Sequence, residues 1–325
     1  MSLTAFVEMP EVRAKIRPLH PRVSLEVPVP LKVKPRSSRY TLIGTAFDYL
    51  LRFELQRRAP HAVAGRWVAE SAPDLIYSEY NNGTTLSLVL SPDVSSSPPE
   101  EVRKRAEKII AEAKTAVANY LESGAPVLLP NLAAHAIRLA KLDSVRRALV
   151  LEPQFEEVNA EVNAEDVQDL LDMLAIVPFD SLLHEETLIL NPTFGDSSIL
   201  VGGADADLIS GDMLVEFKTT KQGKVKLGHL DQLFGYYLLA RNQKRIDSTF
   251  PAINKVGVYF CRHGYLWILN TIAWTENPQF PEIERWFLKY AEKVYAQTEA
   301  RMHSQIEALI MKAHKGNSVL KDRRE

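Results

Sequence analysis

Residues 199–237 read ILVGGADADLISGDMLVEFKTTKQGKVKLGHLDQLFGYY, and the middle of this stretch decides the fold. Two apolar runs, Ala206-Asp207-Leu208-Ile209 and Met213-Leu214-Val215-Glu216-Phe217, flank Ser210-Gly211-Asp212. Gly-Asp between such runs is a β-hairpin signal. With Gly211 and Asp212 as the two turn residues, position 210 faces 213, 208 faces 215, and Asp207 faces Glu216. Directly opposed residues share a face of the pair, with Cβ atoms about 5 Å apart. Lys218 lies two residues after Glu216 and shares that face. One surface thus gathers Asp207, Glu216 and Lys218. Opposed carboxylates repel unless a cation lies between them, and a hard divalent ion such as Mg²⁺ prefers carboxylate oxygens.

The spacing of Asp207 to Glu216-Phe217-Lys218 resembles the signature of the PD-(D/E)XK nuclease superfamily. The following Gln232-Leu233-Phe234-Gly235-Tyr236 resembles the Q-x-x-x-Y motif of its RecB-type exonuclease branch. Gln232 and Tyr236 are one helical turn apart and share a face. In that branch an early helix carries G-x-x-x-H, whose His helps bind metal. Here Gly44-Thr45-Ala46-Phe47-Asp48 has the spacing but ends in Asp, an oxygen ligand that suits Mg²⁺ at least as well. The resemblance covers about residues 185–271 plus that upstream helix.

It implies a restriction-endonuclease-like mixed β-sheet core flanked by helices, an α/β (α+β) fold with a large helical insertion. It also implies a metal-dependent deoxyribonuclease, an exonuclease or a single-strand- or end-acting enzyme, in DNA repair, recombination or phage-related DNA processing. Asp207 and Glu216 would hold Mg²⁺ or Mn²⁺, with the Phe217 carbonyl and Asp48 as further ligands. Asp205, two residues before Asp207, fits G-x-x-D through Gly202-Gly203-Ala204-Asp205 and ranks second to Asp207. Lys218 would orient water or stabilise the phosphorane, while Gln232 and Tyr236 position Lys218 or touch the DNA backbone. Two other readings stay open: an inactive nuclease-like DNA-binding module, and a helical interaction protein whose hairpin mimics the motif.

The rest of the chain sets bounds. At 325 residues it can bury a full core. The net charge of −2 gives no global nucleic-acid signature, so DNA would need a local basic groove. Lys221, Lys224 and Lys226 form a basic, glycine-spaced loop suited to phosphates, and Arg241 adds to it further on. Cys261 is the single cysteine, which excludes an internal disulfide and fits a reducing cytoplasm. No apolar run approaches about 18 residues, so no membrane contact is expected. No P-loop pattern is present, so a helicase motor would have to be a partner, as could another repair or phage protein.

Residues 1–39 are proline-rich and basic, and predict an extended arm with at most one short helix. Residues 40–315 form one nuclease-like domain. Its parts are a first core helix over 41–58, a mainly helical insertion over 59–183, the sheet and the Q-x-x-x-Y helix over 185–271, and a long C-terminal helix over 281–315. Residues 316–325 read as a frayed tail. Within the insertion, 59–76 continue as helix, 78–99 form a loop with a weak strand pair around 86–90, and helices follow over 100–121, 131–149 and 155–176. The acids of the last, including Asp166, Asp169 and Asp172, read as a solvated face. The sheet is expected to start at 187–190 and return through Ile199-Leu200-Val201, with a final hairpin around His263-Gly264.

Overall fold

The computed structural model describes residues 2–74, 99–148 and 161–321. Among these, six strands make one mixed sheet in sequential order: β1 (Val63–Ala64), β2 (Leu188–Leu190), β3 (Leu208–Ser210), β4 (Met213–Lys218), β5 (Lys255–Phe260) and β6 (Tyr265–Asn270). The β1–β2 and β4–β5 pairs are parallel and the others antiparallel. The helices are α1 (Leu3–Val7), α2 (Pro10–Ile16), α3 (Tyr40–Arg58), α4 (Pro99–Ser123), α5 (Leu129–Ala148), α6 (Ala164–Leu174), α7 (Phe179–Leu182), α8 (Gly195–Ile199), α9 (Leu227–Ile246), α10 (Ile272–Thr275) and α11 (Phe280–Lys321). Helix α9 is the crossover that lets β4 and β5 run parallel. No helix among the described residues is long and apolar enough to cross a membrane.

The hairpin has the register its turn dictates: Leu208 opposes Val215, Ile209 opposes Leu214 and Ser210 opposes Met213. Gly211 sits at φ 59°, as a two-residue turn with glycine first requires. The Asp212 carbonyl accepts from the backbone N–H groups of Asn254 and Lys255 at 2.8 and 3.1 Å, which ties the turn to β5. Both sheet faces are covered, so the strands read as continuous apolar runs. Leu208 and Val215 enter a core made with α3, α4, α5 and α6. Ile209 and Leu214 enter a second core with α1, α2, α9, α10 and the start of α11.

Several expectations are corrected. Residues 199–201 do not form a strand. Helix α8 ends at Ile199, and the Ser198 hydroxyl accepts from the Phe194 N–H and donates to the Ala204 carbonyl, both at 2.9 Å. Such local bonds compete with a ladder, and Gly202 and Gly203 follow at φ 74° and 125°. Residues 59–76 are not one helix, because Val63–Ala64 forms the edge strand and a 3₁₀ turn spans Val68–Ser71. Asp166 and Asp169 are buried, and Asp169 forms a two-pronged pair with buried Arg262 at 2.7 and 2.8 Å. The chain remains helical through Lys321. The weak strand pair around 86–90 and the start of the 155–176 helix lie outside the described residues.

The amino-terminal segment is the largest correction. It holds two helices, and Leu3, Phe6, Val7, Val12, Ile16 and Leu19 are all buried in the second core. Pro10 occupies the first turn of α2, where a missing N–H costs nothing. Buried Asp231 on α9 latches the segment: Arg17 Nη2 and His20 Nε2 each lie 2.8 Å from its carboxylate. Burial alone would raise the Asp231 pKa, but the hydrogen bonds from His20 and Arg17 outweigh it and hold the carboxyl below its usual range. Because its folded pKa is depressed, Asp231 contributes stability that is full above about pH 4 and is lost as pH falls through the folded value. Asp231→Ala is expected to cost about 2 kcal/mol in denaturant unfolding at pH 7, by removing the hydrogen bonds to the half-exposed Arg17 and the buried His20 ring. It should also open residues 1–24 to limited proteolysis, and the cost should shrink toward acid pH.

Candidate functional site

Pairing of β3 with β4 ends at Leu208 and Val215. One residue further out, the Asp207 carboxylate accepts a short hydrogen bond from the Phe217 backbone N–H, while its own carbonyl accepts from the Asn191 N–H at 3.0 Å. Glu216 is buried, and its Oε1 lies 2.7 Å from Lys218 Nζ. Helix α9 brings the next groups. Gln232 Oε1 accepts from Lys218 Nζ at 3.3 Å, and its Nε2 donates to Glu216 Oε1 at 3.2 Å and to the Tyr236 hydroxyl at 3.0 Å. Tyr236 in turn donates to the Asp205 carbonyl at 2.6 Å. The motif residues of strand and helix therefore form one continuous network. Asp205 enters it through its backbone, while its side chain is exposed on the rim.

Asp48 approaches from α3. A Cβ on Gly44 would meet Thr219 Oγ1 at 3.1 Å, so the glycine lets this helix run close against the end of β4. Asp48 makes a short ion pair with Arg52 one turn on, and Arg52 Nε also donates to the Asp48 carbonyl at 3.3 Å. The guanidinium sits 4.7 Å from the Tyr49 ring centre. Sequence reading missed Arg52, although Asp-x-x-x-Arg is an ordinary helical pairing signal.

The charges are imperfectly balanced. Burial, then the nearby Glu216 and Asp48 charges, push the Asp207 carboxyl well above its usual range. Burial raises Asp48 as well, with Arg52 pulling partly back. For Lys218, burial works against the charge, but Glu216 and Asp207 outweigh it and hold the ammonium protonated. Burial and the same carboxylates keep Tyr236 a neutral phenol. Glu216 Oε2 and Asp48 Oδ1 are buried without a hydrogen-bond partner. Among the described residues no three Asp, Glu, His or Cys side chains stand close enough to cage an ion unaided. Orphaned carboxylate oxygens without a complete cage suit Mg²⁺, which binds through one or two carboxylates and keeps much of its water.

These groups line a cleft of about 1000 Å³. Lys221 and Lys226 line it too. Lys224 does not: it pairs with Glu26 at 2.7 Å. The basic loop is also less free than its glycines suggest, since Val27 N–H donates to the Gly223 carbonyl and Val225 N–H to the Leu25 carbonyl. Arg241 sits away from the cleft, joining α9 to α11 through Glu284 at 2.8 Å and lying over the Tyr237 and Phe280 rings. The amino-terminal helix supplies an unforeseen wall. Leu3 N–H donates to the Gly203 carbonyl at 3.0 Å, and Thr4 Oγ1 lies 3.5 Å from Gln232 Nε2. A Cβ on Gly235 would come within 2.8 Å of Leu3 Cδ1, so the glycine inside the Q-x-x-x-Y stretch makes room for this wall. The apolar spacing of Leu3, Phe6 and Val7 is the signal that could have revealed it.

Comparison with protein-family models, with curated proteins and with solved structures finds no match to this chain. The class that fold and site define is a mixed α/β protein, with an acidic pair, a charged lysine and a Gln–Tyr helix at one end of its sheet.

Proposed function

We propose that this protein is a metal-dependent deoxyribonuclease with a restriction-endonuclease-like core, of the RecB type within the PD-(D/E)XK superfamily. The observation that carries the reading is the bonded set Glu216–Lys218–Gln232–Tyr236 beside Asp207. A chance charged hairpin has no reason to dock its lysine onto a helix carrying that Gln–Tyr pair. Asp207 and Glu216 would hold Mg²⁺ or Mn²⁺, with Asp48 and the Phe217 carbonyl as further oxygen donors. The ion supplies, when bound, a lowered pKa for water and neutralisation of phosphate charge.

The chain's own residues carry the remaining work. Lys218, held as a cation, donates to a non-bridging phosphate oxygen as negative charge builds up there, while water adds to phosphorus and the bond to the leaving oxygen breaks. Gln232 holds the lysine in place from one side and Glu216 from the other. Tyr236 fixes Gln232 by accepting from its amide while anchoring on the Asp205 carbonyl. Lys221 and Lys226 bind flanking phosphates without regard to sequence. Such an activity would fit repair, recombination or phage DNA processing, with a helicase as a fitting partner and the cytoplasm as a fitting place.

Linear and circular DNA, single- and double-stranded, should be assayed with Mg²⁺ and Mn²⁺. Linear DNA is expected to be degraded, with circular duplex spared. DNA binding without cleavage would select the inactive module, and neither binding nor cleavage would remove the nuclease reading.

A further inference from the structure

His229 stands on the same face of α9 as Gln232 and Tyr236, three and seven residues earlier, and lines the same cleft. Its Nδ1 accepts a hydrogen bond from the Lys226 backbone N–H at 3.3 Å. A backbone N–H can only donate, so Nδ1 carries the lone pair and a neutral ring holds its proton on Nε2. No protein acceptor takes that Nε2–H among the described residues, while Lys226 and Lys221 line the cleft beside it. From this geometry we infer that His229 is a substrate-binding residue: a neutral hydrogen-bond donor to a non-bridging oxygen of a backbone phosphate next to the scissile one. The inference rests on the cleft being a phosphodiester site. Burial, with Lys218 and Lys226 nearby, lowers the ring pKa to about 4, so the donor stays uncharged under ordinary conditions.

A neutral contact differs measurably from a cationic one. Phosphate neutralisation by Lys or Arg releases counterions, so each such contact steepens the fall of affinity with salt by about one unit of log–log slope. A neutral donor adds affinity and leaves that slope alone.

The test is binding of a single-stranded oligothymidylate, followed by fluorescence anisotropy in EDTA from about 50 to about 200 mM NaCl. His229→Phe keeps a ring against Phe260 but has no donor, and should bind roughly tenfold more weakly with the wild-type salt slope. His229→Gln keeps an N–H donor and should recover most of the loss. Lys221→Ala should lower the slope by about one. Three results overturn the inference while leaving the cleft as a nucleic-acid site: unchanged affinity in His229→Phe, no recovery in His229→Gln, or a lowered slope in His229→Phe. The last would mean that the ring acts only by capping the Lys226 loop. Failure of the wild-type protein to bind the oligonucleotide would overturn both the inference and the nuclease reading beneath it.

Discussion

Lys218→Ala is expected to cut linear DNA about 10³-fold more slowly than the wild-type protein with Mg²⁺, while binding DNA within a few-fold of it. The loss corresponds to about 4 kcal/mol of transition-state stabilisation, the scale for removing one pre-placed donor from a developing oxyanion. The amine is placed before substrate arrives, 2.7 Å from Glu216 and 3.3 Å from Gln232, so no reorganisation offsets its effect. Lys218→Arg should not restore activity, since a planar fork cannot sit where a compact ammonium does. Burial works against the Lys218 charge, but Glu216 and Asp207 outweigh it and raise its pKa, so the metal-free protein holds the lysine as a cation. An alanine variant that retains a tenth or more of the activity would remove Lys218 from the reaction.

Asp207→Asn should separate function from stability. Cleavage is expected to fall at least about 10³-fold, because a carboxylate meant for a divalent cation is gone. The metal-free protein should nevertheless become more stable at pH 8, by about 1–2 kcal/mol or roughly 2–4 °C in Tm. The reason is the crowding of Asp207 with Glu216 and Asp48. Its carboxyl has a higher pKa folded than unfolded. Between those two values the folded state holds a proton that the unfolded chain has released, so stability falls as pH rises. The metal-free wild type should thus lose stability from about pH 4 toward neutrality, and the asparagine variant should lose less. Mg²⁺ should raise the wild-type Tm by linkage and do little for the variant. A less stable Asp207→Asn protein that Mg²⁺ still stabilises would show that the acid is not part of a charge cluster.

The hairpin was readable because its signals agree: glycine in the turn, apolar residues in register, and polar groups falling together on one face. The Gln232–Tyr236 pair was readable for the same reason, since a one-turn spacing leaves little freedom. What could not be read came from long-range packing. Asp169 looked solvated in a run of acids, and only Arg262, far along the chain, explains its burial. The prolines of residues 1–39 suggested an open arm, yet six apolar side chains and the Asp231 latch outweigh them. Composition also does not reveal that Arg241 pairs with Glu284 away from the cleft, or that Lys224 meets Glu26 at the surface. The strand expected over 199–201 failed where two hydrogen bonds of Ser198 favoured a compact turn. The two acids that alternation puts on one face are used differently. Asp207 bonds across to β4, whereas Asp205 gives its carbonyl to Tyr236.

The most direct measurement is the anomalous difference density of crystals soaked in Mn²⁺. The expected peak lies between the Asp207 and Glu216 carboxylates, within coordination distance of both and on the side of Lys218, and it should vanish in Asp207→Asn. A wild-type crystal in which Mn²⁺ orders elsewhere, with both carboxylates unliganded, would contradict a metal-dependent phosphodiesterase site in this cleft.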